Sequence, residues 1–484
     1  MTYKGRSLSE STILLGGKLM IDCLMIHAYV LTMTDDACGL IVDGAVAIDG
    51  NKIVAVGETS VLKQQYEAQE VIDASGKVVM PGLIDAHIHT SMALYRGVAQ
   101  DTHHWLQKGV GPFFSNINRE EAVAGSMLNI IEGLKAGTTT FSDFDTNMTQ
   151  LAENYLKAGV RARLAATINE LPPDLDQLPV GALYPLDVKL GREKLEEGIR
   201  LMDEWHGKAN GRITTMLGPQ GPDMVSEALL KEIKELAVKY QTKIHMHVAQ
   251  GDREINQIVN RYGKRSIEWL DSIGYLDDQL IAIHLTEATN AEAELLASRG
   301  VAMIHCPGSI GIIDGIVPPV MAFIDAGGIA GLGSDNAPGN NSNNMFNEMK
   351  SAAVFNKIKA ADPTVMPAEK VMRMATIEGA RAIGLDHEIG TLEPGKKADL
   401  IIINMREPGL SPVILEPIVN IVPNLVYAAR GHEVETVIVD GKVIMRNRKL
   451  LTVNEDEVVT AAQHAAEQLS GRVAKMAAAI TEGQ

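Results

Sequence analysis

The chain has 484 residues, a formal net charge of −17 at pH 7 and 46% hydrophobic residues. This length exceeds one barrel domain of ~250 residues, so we expect a second unit beside any barrel. The acidic balance argues against nucleic acid and anionic membranes as partners, and no apolar stretch reaches the ~20 residues that span a bilayer.

The first predicted elements are two short strands joined by a tight turn. Segments 43–48 and 52–57 are apolar and strand-like, and Asp49, Gly50 and Asn51 between them form a hairpin signal. Such a hairpin needs further strands to bury its apolar face, so we expect partners elsewhere in the chain.

The most informative motif is Asp85-Ala86-His87-Ile88-His89, which follows an apolar run, 78–84, that we interpret as one buried strand. Residues two apart in a strand point to the same side, so His87 and His89 aim two imidazoles at one point where the strand ends. Neutral imidazole is a common zinc ligand, and this pair supplies half of a tetrahedral site. The motif alone is weak evidence for a metal site, and it needs further ligands at the ends of other strands.

Seven more apolar strands follow, separated by helical patterns such as 227–239 and 290–299. We expect them at 138–143, 160–166, 213–218, 242–247, 280–284, 301–306 and 329–335. Strands that alternate with helices predict parallel βαβ units, and eight such units form a TIM barrel. The predicted fold class is therefore α/β, a (β/α)8 barrel. Its active site is expected at the C-terminal strand ends, where His247, His284 and Asp335 stand.

Strand-like segments return after the barrel, at 400–403, 435–439 and 442–444, with Asp440-Gly441 as a turn before the last one. We pair them with the N-terminal hairpin. The predicted organisation is a small β-sandwich from 22–80 and 388–450, a catalytic barrel at 81–387, and a C-terminal helix at 454–481. The apolar face of that helix is expected to dock on its own barrel, with a subunit contact as the alternative.

Several motifs together resemble the amidohydrolase superfamily. They are Pro81-Gly82-Leu83-Ile84-Asp85-Ala86-His87-Ile88-His89, Ala136-Gly137-Thr138-Thr139-Thr140, His247, His284, Leu332-Gly333-Ser334-Asp335 and the run from Ile389 to Leu400. From about Met25 to about Val459 the chain is similar to one branch of that superfamily. This branch holds methylthioadenosine/S-adenosylhomocysteine deaminases, guanine deaminases and triazine hydrolases (chlorohydrolases).

The resemblance implies a metal-ligand set of His87, His89, His247 and Asp335. It also implies that His284 lies beside the metal-bound water. His245 shares a strand face with His247 and is an alternative ligand, but His247 is nearer the strand end and matches the family position. Two-metal members of the superfamily carry a carbamylated Lys at the end of the fourth strand, where this chain has Gly218-Pro219-Gln220-Gly221. We therefore expect one divalent ion, Zn²⁺, with Fe²⁺ or Mn²⁺ as alternatives.

The chain also departs from the pattern of the branch. Its deaminases usually carry a Glu three residues after the strand-five His ligand, where this chain has Gln250. A Glu can carry a proton to a ring nitrogen, whereas an amide can only hydrogen-bond. Nucleoside deaminases place a His where Gln220 stands, and Asp335-Asn336-Ala337-Pro338 alters a loop beside the metal. The substrate therefore does not follow from the resemblance.

Candidate residues for substrate binding are Gln220, Trp105, Glu287 and His305. Trp105, in the loop after the first barrel strand, either covers the ligand or belongs to the core. His305 ends a predicted strand and is either a packed histidine or a pocket residue. Glu287 follows His284 by three residues and either lines the pocket or lies outside it.

The expected mechanism is attack of a metal-activated water on an electrophilic carbon. Such a metal lowers the pKa of bound water from about 15.7 to roughly 7. Asp335 takes the proton and later returns it to the leaving group, His284 stabilises the developing charge, and Gln250 is the third catalytic candidate.

The predicted function is metal-dependent hydrolysis of a small nitrogen-rich heterocycle, with displacement of an amino group or another leaving group. The alternatives are hydrolysis of a cyclic amide C–N bond and a catalytically silent binding protein. The intact ligand set argues against the silent protein. The expected partners are a small-molecule substrate and further copies of the chain in a homo-oligomer, with no nucleic acid and no membrane.

The expected compartment is the cytoplasm. Three cysteines are too few for a disulfide framework, and their number is odd. The hydrophobic segment 11–33 is broken by Lys18, Asp22 and His27, so we expect neither a signal peptide nor an anchor there.

Overall fold

The computed structural model describes residues 17–103, 105–172, 178–179 and 181–482. The first part of segment 11–33 therefore lies outside the described residues. The strands form two nine-stranded sheets, one built from both chain ends and one from the middle of the chain. This arrangement confirms the α/β class, with a TIM-like barrel beside a sheet domain that both ends supply.

The strands occur in three groups. The first is β1 Leu19–Leu31, β2 Leu40–Asp49, β3 Lys52–Glu58, β4 Tyr66–Asp73 and β5 Lys77–Pro81. The barrel group is β6 Leu83–His89, β7 Thr138–Asp145, β8 Arg161–Ile168, β9 Ile213–Pro219, β10 Ile244–Val248, β11 Leu280–His284, β12 Ala302–His305, β13 Ala330–Leu332 and β14 Asp335–Asn336. The last group is β15 Leu400–Asn404, β16 Val434–Val439, β17 Lys442–Arg446 and β18 Lys449–Leu450.

The sheet domain has the strand order β18-β17-β16-β15-β5-β1-β2-β3, with β4 beside β1. The C-terminal strands therefore pair with β5 and not directly with the β2–β3 hairpin, which corrects the predicted pairing. The two ends of the sheet nevertheless meet, because Asn51 Nδ2 lies 3.1 Å from Asp440 Oδ1 and the amide of Ala398 donates to the carbonyl of Asn51 at 3.0 Å. The sheet thus curls over one shared apolar core.

The apolar run 78–84 is two strands and not one. It divides at Gly82 between β5, which belongs to the sheet domain, and β6, which begins the barrel. A side chain at Gly82 would place its Cβ 2.1 Å from Cγ2 of Thr139, so only glycine lets the chain cross this closely packed boundary. An uninterrupted apolar pattern cannot reveal such a crossing, since both strands are buried.

The barrel closes through its last strand. The strand order is β13-β12-β11-β10-β9-β8-β7-β6-β14. β13 and β14 are therefore at opposite ends of this order, although only Gly333 and Ser334 separate them in the chain. β14 pairs with β6 in parallel, Asp335 opposite Ile88. A Cβ on Gly333 would lie 2.8 Å from the carbonyl oxygen of His87, so glycine permits this closure. The predicted eighth strand therefore carries Asp335 to the first.

Most helices surround the barrel, the first lies beside β1–β4 of the sheet domain, and the last ends the chain. They are α1 Thr59–Gln65, α2 Gly111–Phe114, α3 Arg119–Lys135, α4 Met148–Ala158, α5 Val188–Trp205, α6 Glu227–Tyr240, α7 Gly251–Tyr262, α8 Ser266–Ser272, α9 Asn290–Ser298, α10 Pro307–Ile313, α11 Val320–Asp325, α12 Ala337–Asn340, α13 Met345–Ala360, α14 Ala368–Met374, α15 Ile377–Ala382, α16 Ile421–Tyr427 and α17 Glu455–Glu482, with a 3-10 helix Thr90–Tyr95 and a π-helix Trp105–Val110. Within the described ranges, none of them combines the length and apolar character that a membrane span requires.

The C-terminal helix α17 docks on its own barrel. Leu469 is buried in a cluster with Tyr95 and Val110, and the guanidinium of Arg472 pairs with the carboxylate of Glu121 on α3. Met476 belongs to the apolar face predicted from helical spacing but is 50% exposed, so this face is shorter than expected.

Candidate active site and metal centre

Five side chains at the C-terminal strand ends converge on one point. Two triads share His87: one is His87, His247 and His284, and the other is His87, His89 and Asp335. Within each triad, one imidazole or carboxylate atom per residue lies within 4.8 Å of the other two. Asp335 Oδ1 is 3.3 Å from His89 Nε2 and 3.5 Å from His87 Nε2. The structure therefore brings together every residue predicted to hold or flank the metal.

The chemistry of these atoms fits a divalent cation. His87 Nε2, both ring nitrogens of His284, and Asp335 Oδ2 are buried without a hydrogen-bond partner among the described residues. Buried polar atoms are normally paired, and unpaired imidazole and carboxylate atoms gathered in one place are what a metal ion and its bound water satisfy. Three imidazoles and one carboxylate match the preferences of zinc.

Each proposed histidine ligand is oriented through its other ring nitrogen. His247 Nδ1 lies 2.7 Å from the carbonyl oxygen of Gln220, and His89 Nδ1 contacts the carbonyl oxygen of Phe144. His87 Nδ1 lies 2.7 Å from His245 Nε2. Because a ring nitrogen that donates to a carbonyl carries the proton, Nε2 of His247 and of His89 keeps its lone pair for a metal.

Electrostatics keep the cluster in its ligating form. Burial lowers the pKa of His87 to about 3 and that of His284 to about 4, so both imidazoles are neutral at pH 7. Burial would raise the pKa of Asp335, but the surrounding histidines outweigh it and hold that pKa well below its usual range. Neutral imidazoles around an ionised carboxylate are the protonation states that a metal requires.

The backbone is strained where His284 leaves its strand. Ile281 and Ile283 belong to the cluster inside the barrel, so strict alternation would turn His284 outward. Its φ of 75° lies in the left-handed region, which a non-glycine residue adopts at a cost. This turn places the His284 ring 5.4 Å from the ring of His247. Asp335 has a φ of 61°, so two of the converging residues share this conformation.

A cavity of about 380 Å³ opens over the cluster. Its apolar wall includes Met92, Trp105, Leu106, Phe114, Leu171 and Met224. Its polar wall includes Asp145, Asn169, Gln220, Gln250, Arg253 and Glu254. A larger groove of about 1060 Å³ runs past Leu31 and Arg373 but carries none of the converging ligands, so chemistry and not size identifies the active site.

The predicted substrate contacts divide into two groups. Gln220, Gln250 and Trp105 line the cavity. His305 and Glu287 are not among its lining residues. His305 follows the alternation of β12 and points to α13, where its Nε2 lies 3.5 Å from Asn356 Nδ2.

Other lining residues were missed because two predicted strands were too short. We predicted ends at 143 and 166, whereas β7 continues to Asp145 and β8 to Ile168. Asp145 and Asn169 therefore stand at strand ends, where the reasoning that found His247 would also have found them. Lys194, on α5, carries no comparable signal.

The comparisons with known proteins agree with this geometry. A sequence model of the amidohydrolase family matches residues 78–444. The chain belongs to the amidohydrolase family. Residues 44–66 also match a bacterial imidazolonepropionase-like composite domain. Membership, together with the named relatives described next, confirms that this amidohydrolase is an enzyme, a metal-dependent hydrolase of small nitrogen-rich heterocycles.

The relatives include two named deaminases. The amidohydrolase is 37% identical over 455 residues, 94% of this chain and 99% of the relative, to the 5'-deoxyadenosine deaminase of Methanosarcina acetivorans. It is 37% identical over 417 residues, 86% of this chain and 92% of the relative, to the 5-methylthioadenosine/S-adenosylhomocysteine deaminase of Moorella thermoacetica.

Two solved structures share the fold. A zinc-bound adenosine deaminase from Xanthomonas campestris superposes with a TM-score of 0.85 and 30% identity over 93% of this chain and 99% of that one. A zinc complex of atrazine chlorohydrolase from Arthrobacter aurescens has a TM-score of 0.80 at 21% identity, over 92% of this chain and 100% of that one. The second likeness shows the fold alone.

Proposed function

We propose that this amidohydrolase hydrolytically deaminates a 6-aminopurine nucleoside and uses Zn²⁺. The observation that carries the proposal is the convergence of His87, His89, His247, His284 and Asp335 under a cavity of about 380 Å³. The cavity has the size and the mixed lining of a small-molecule site. The names of the relatives at 37% identity support an adenosine-type substrate.

His87, His89, His247 and Asp335 would hold the metal, which would act as a Lewis acid and acidify a coordinated water. Asp335 has two carboxylate oxygens, so it would hold the metal through one and, through the other, accept a proton and return it to the departing amine. His284, through a ring nitrogen that carries a proton, would donate to the oxygen that gains charge. Trp105 and Phe114 exclude water from the purine, as their place in the cavity wall allows.

The metal and the reaction can be tested on the full chain. We expect about one zinc per chain by elemental analysis, and ammonia release from adenosine, 5'-deoxyadenosine, 5'-methylthioadenosine or S-adenosylhomocysteine. Removal of the metal by a chelator should abolish turnover, and added Zn²⁺ should restore it. Two tightly bound ions, or full activity after chelation, would contradict the proposal.

Gln250 favours a second candidate, displacement of a leaving group that needs no protonated ring nitrogen. An amide at this place can orient a substrate but cannot carry a proton. The two candidates separate on 6-chloropurine riboside and adenosine, which share the ring and differ in the group displaced. A much higher kcat/KM for the chloride than for every aminated nucleoside would favour this second function.

We also propose a cytoplasmic homo-oligomer. The three cysteines are all unpaired, which supports a reducing compartment. Light scattering during size exclusion measures the assembly, and a monomeric mass would contradict it.

A further inference from the structure

A polar chain runs through the wall of the cavity behind Gln220. Lys194, on α5, directs its Nζ to Oδ1 of Asn169 at 2.7 Å, and Nδ2 of Asn169 donates to Oε1 of Gln220. All three residues line the cavity. Lys194 is half-buried and makes no ion pair with the carboxylates in the described ranges. Its contact with Asn169 is therefore its main polar interaction.

The donors in this chain determine how both amides are turned. An ammonium group can only donate, so the atom that Asn169 presents to Lys194 is its oxygen. The amide of Leu171, which also can only donate, reaches the same oxygen at 3.2 Å. Nδ2 of Asn169 consequently faces Gln220, and the atom that Gln220 presents to it is its oxygen.

As a result, the amide nitrogen of Gln220 is left without a partner in the described part of the chain. Because Oε1 of Gln220 accepts from Asn169, Nε2 of Gln220 carries two N–H groups, and neither bonds to another described residue. The main chain of Gln220 is also anchored, since its carbonyl oxygen lies 2.7 Å from Nδ1 of His247. The free N–H groups therefore belong to a residue whose main chain is hydrogen-bonded to a proposed metal ligand, His247.

We propose that Lys194 is a positioning residue that, through Asn169, holds the Gln220 amide with its N–H groups toward the cavity. The site consequently selects heterocycles that present a hydrogen-bond acceptor, such as a ring nitrogen, at this place and rejects those that present a C–H or N–H group. This inference rests on the proposed function for its choice of substrate. A buried donor left unpaired by the wrong ligand costs about tenfold or more in affinity.

The test compares adenosine with its 1-deaza, 3-deaza and 7-deaza analogues, each of which replaces one ring nitrogen by C–H. Binding is measured by calorimetry and turnover by KM and kcat. In the wild type, we expect one analogue to bind at least about tenfold more weakly than adenosine. That analogue identifies the nitrogen facing Gln220.

The variants test the role of the chain. Lys194→Met keeps the length of the side chain but removes the donor, and we expect it to raise KM for adenosine and to reduce the discrimination against that analogue. Lys194→Arg keeps a donor and should retain the discrimination. Lys189→Met, on the same helix with its side chain 87% exposed, is the matched control and should behave as the wild type.

A second variant guards against a purely structural effect. Asn169→Asp cannot donate to Gln220, so the Gln220 amide is free to turn, and the discrimination should fall as in Lys194→Met. Unchanged discrimination in Lys194→Met, or equal binding of all four nucleosides to the wild type, would overturn the inference. Adenosine that binds with this discrimination but is not deaminated would overturn the proposed function alone. If no nucleoside binds, both fail.

Discussion

Nδ1 of His87 lies 2.7 Å from Nε2 of His245 in a fully buried layer beneath the metal centre. His245 Nδ1 lies 3.4 Å from the hydroxyl of Ser142. If Nε2 of His87 keeps its lone pair for the metal, Nδ1 of His87 donates to His245, which in turn donates to Ser142. His245, the alternative ligand in the sequence, thus supports His87 from below.

We expect His245→Met to weaken metal binding by about 10- to 100-fold, the usual effect of removing a group that orients a ligand. His245→Gln, whose amide oxygen can still accept from His87, should lose less. The measurement is competition for Zn²⁺ with a chelator of known affinity. Equal metal affinity in the wild type and in His245→Met would contradict the supporting role.

Asp335→Asn should abolish turnover while much of the metal stays bound. The amide still offers an oxygen to a cation but cannot move a proton. A loss of ~10²–10⁴ in kcat is expected for a general acid–base. Asp252→Asn, at an exposed position in the first turn of α7, is the control. If Asp335→Asn loses less than about tenfold, another residue moves the proton.

Gln250→Glu should not improve turnover of the native substrate. Gln250 precedes α7 and lines the cavity. A carboxylate introduced there would lie in the same cavity as Asp335 and would raise the pKa of one of the two. The measurement is kcat/KM on adenosine and on 6-chloropurine riboside. A large gain on adenosine would show that the wild type lacks a proton carrier that Glu restores.

Glu254 makes stability depend on pH. Burial, followed by the charge of Asp223, raises the pKa of Glu254 from 4.5 to about 7. The folded state therefore binds more protons than the unfolded state between these values, and stability falls as the pH rises through this window, by on the order of 3 kcal/mol. Glu254→Gln removes this dependence. The melting temperature of the variant minus that of the wild type should therefore be larger at pH 7 than at pH 5. A constant difference would contradict the shift.

The ion pair between Arg161 and Asp399 joins the barrel to the sheet domain. Nε of Arg161 is 2.6 Å from Oδ2, and Nη2 is 3.1 Å from Oδ1, with both side chains 2% exposed. Arg161→Met leaves a buried carboxylate unpaired and should destabilise the protein by about 3–5 kcal/mol. Arg192→Met breaks an exposed pair with Glu232 and should cost no more than about 1 kcal/mol. Urea unfolding compares the two, and similar losses would contradict the argument.

Local geometry explains what could be predicted of the site. A strand turns alternate residues to one side whatever surrounds it, so His87 with His89, and His245 with His247, could be paired from spacing alone. The same rule, applied to strand ends in a parallel barrel, grouped them with Asp335. The hairpin turn at Gly50 and Asn51 depends only on neighbouring residues. So does the start of α17, where the amide of Asp456 donates to Oδ1 of Asn454 at 3.1 Å.

The sequence by itself determined the strand–helix alternation, the convergent ligands and the terminal helix, because periodicity and capping act within a few residues. Only the tertiary structure decided that 78–84 divides between two sheets, and that His284 faces inward while His305 faces α13. Alternation shows which residues share a face, but barrel closure and the local φ decide which face is inside. Lys194 and Asn169 meet Gln220 across the cavity wall for the same reason: their contact exists only once α5 packs on the barrel.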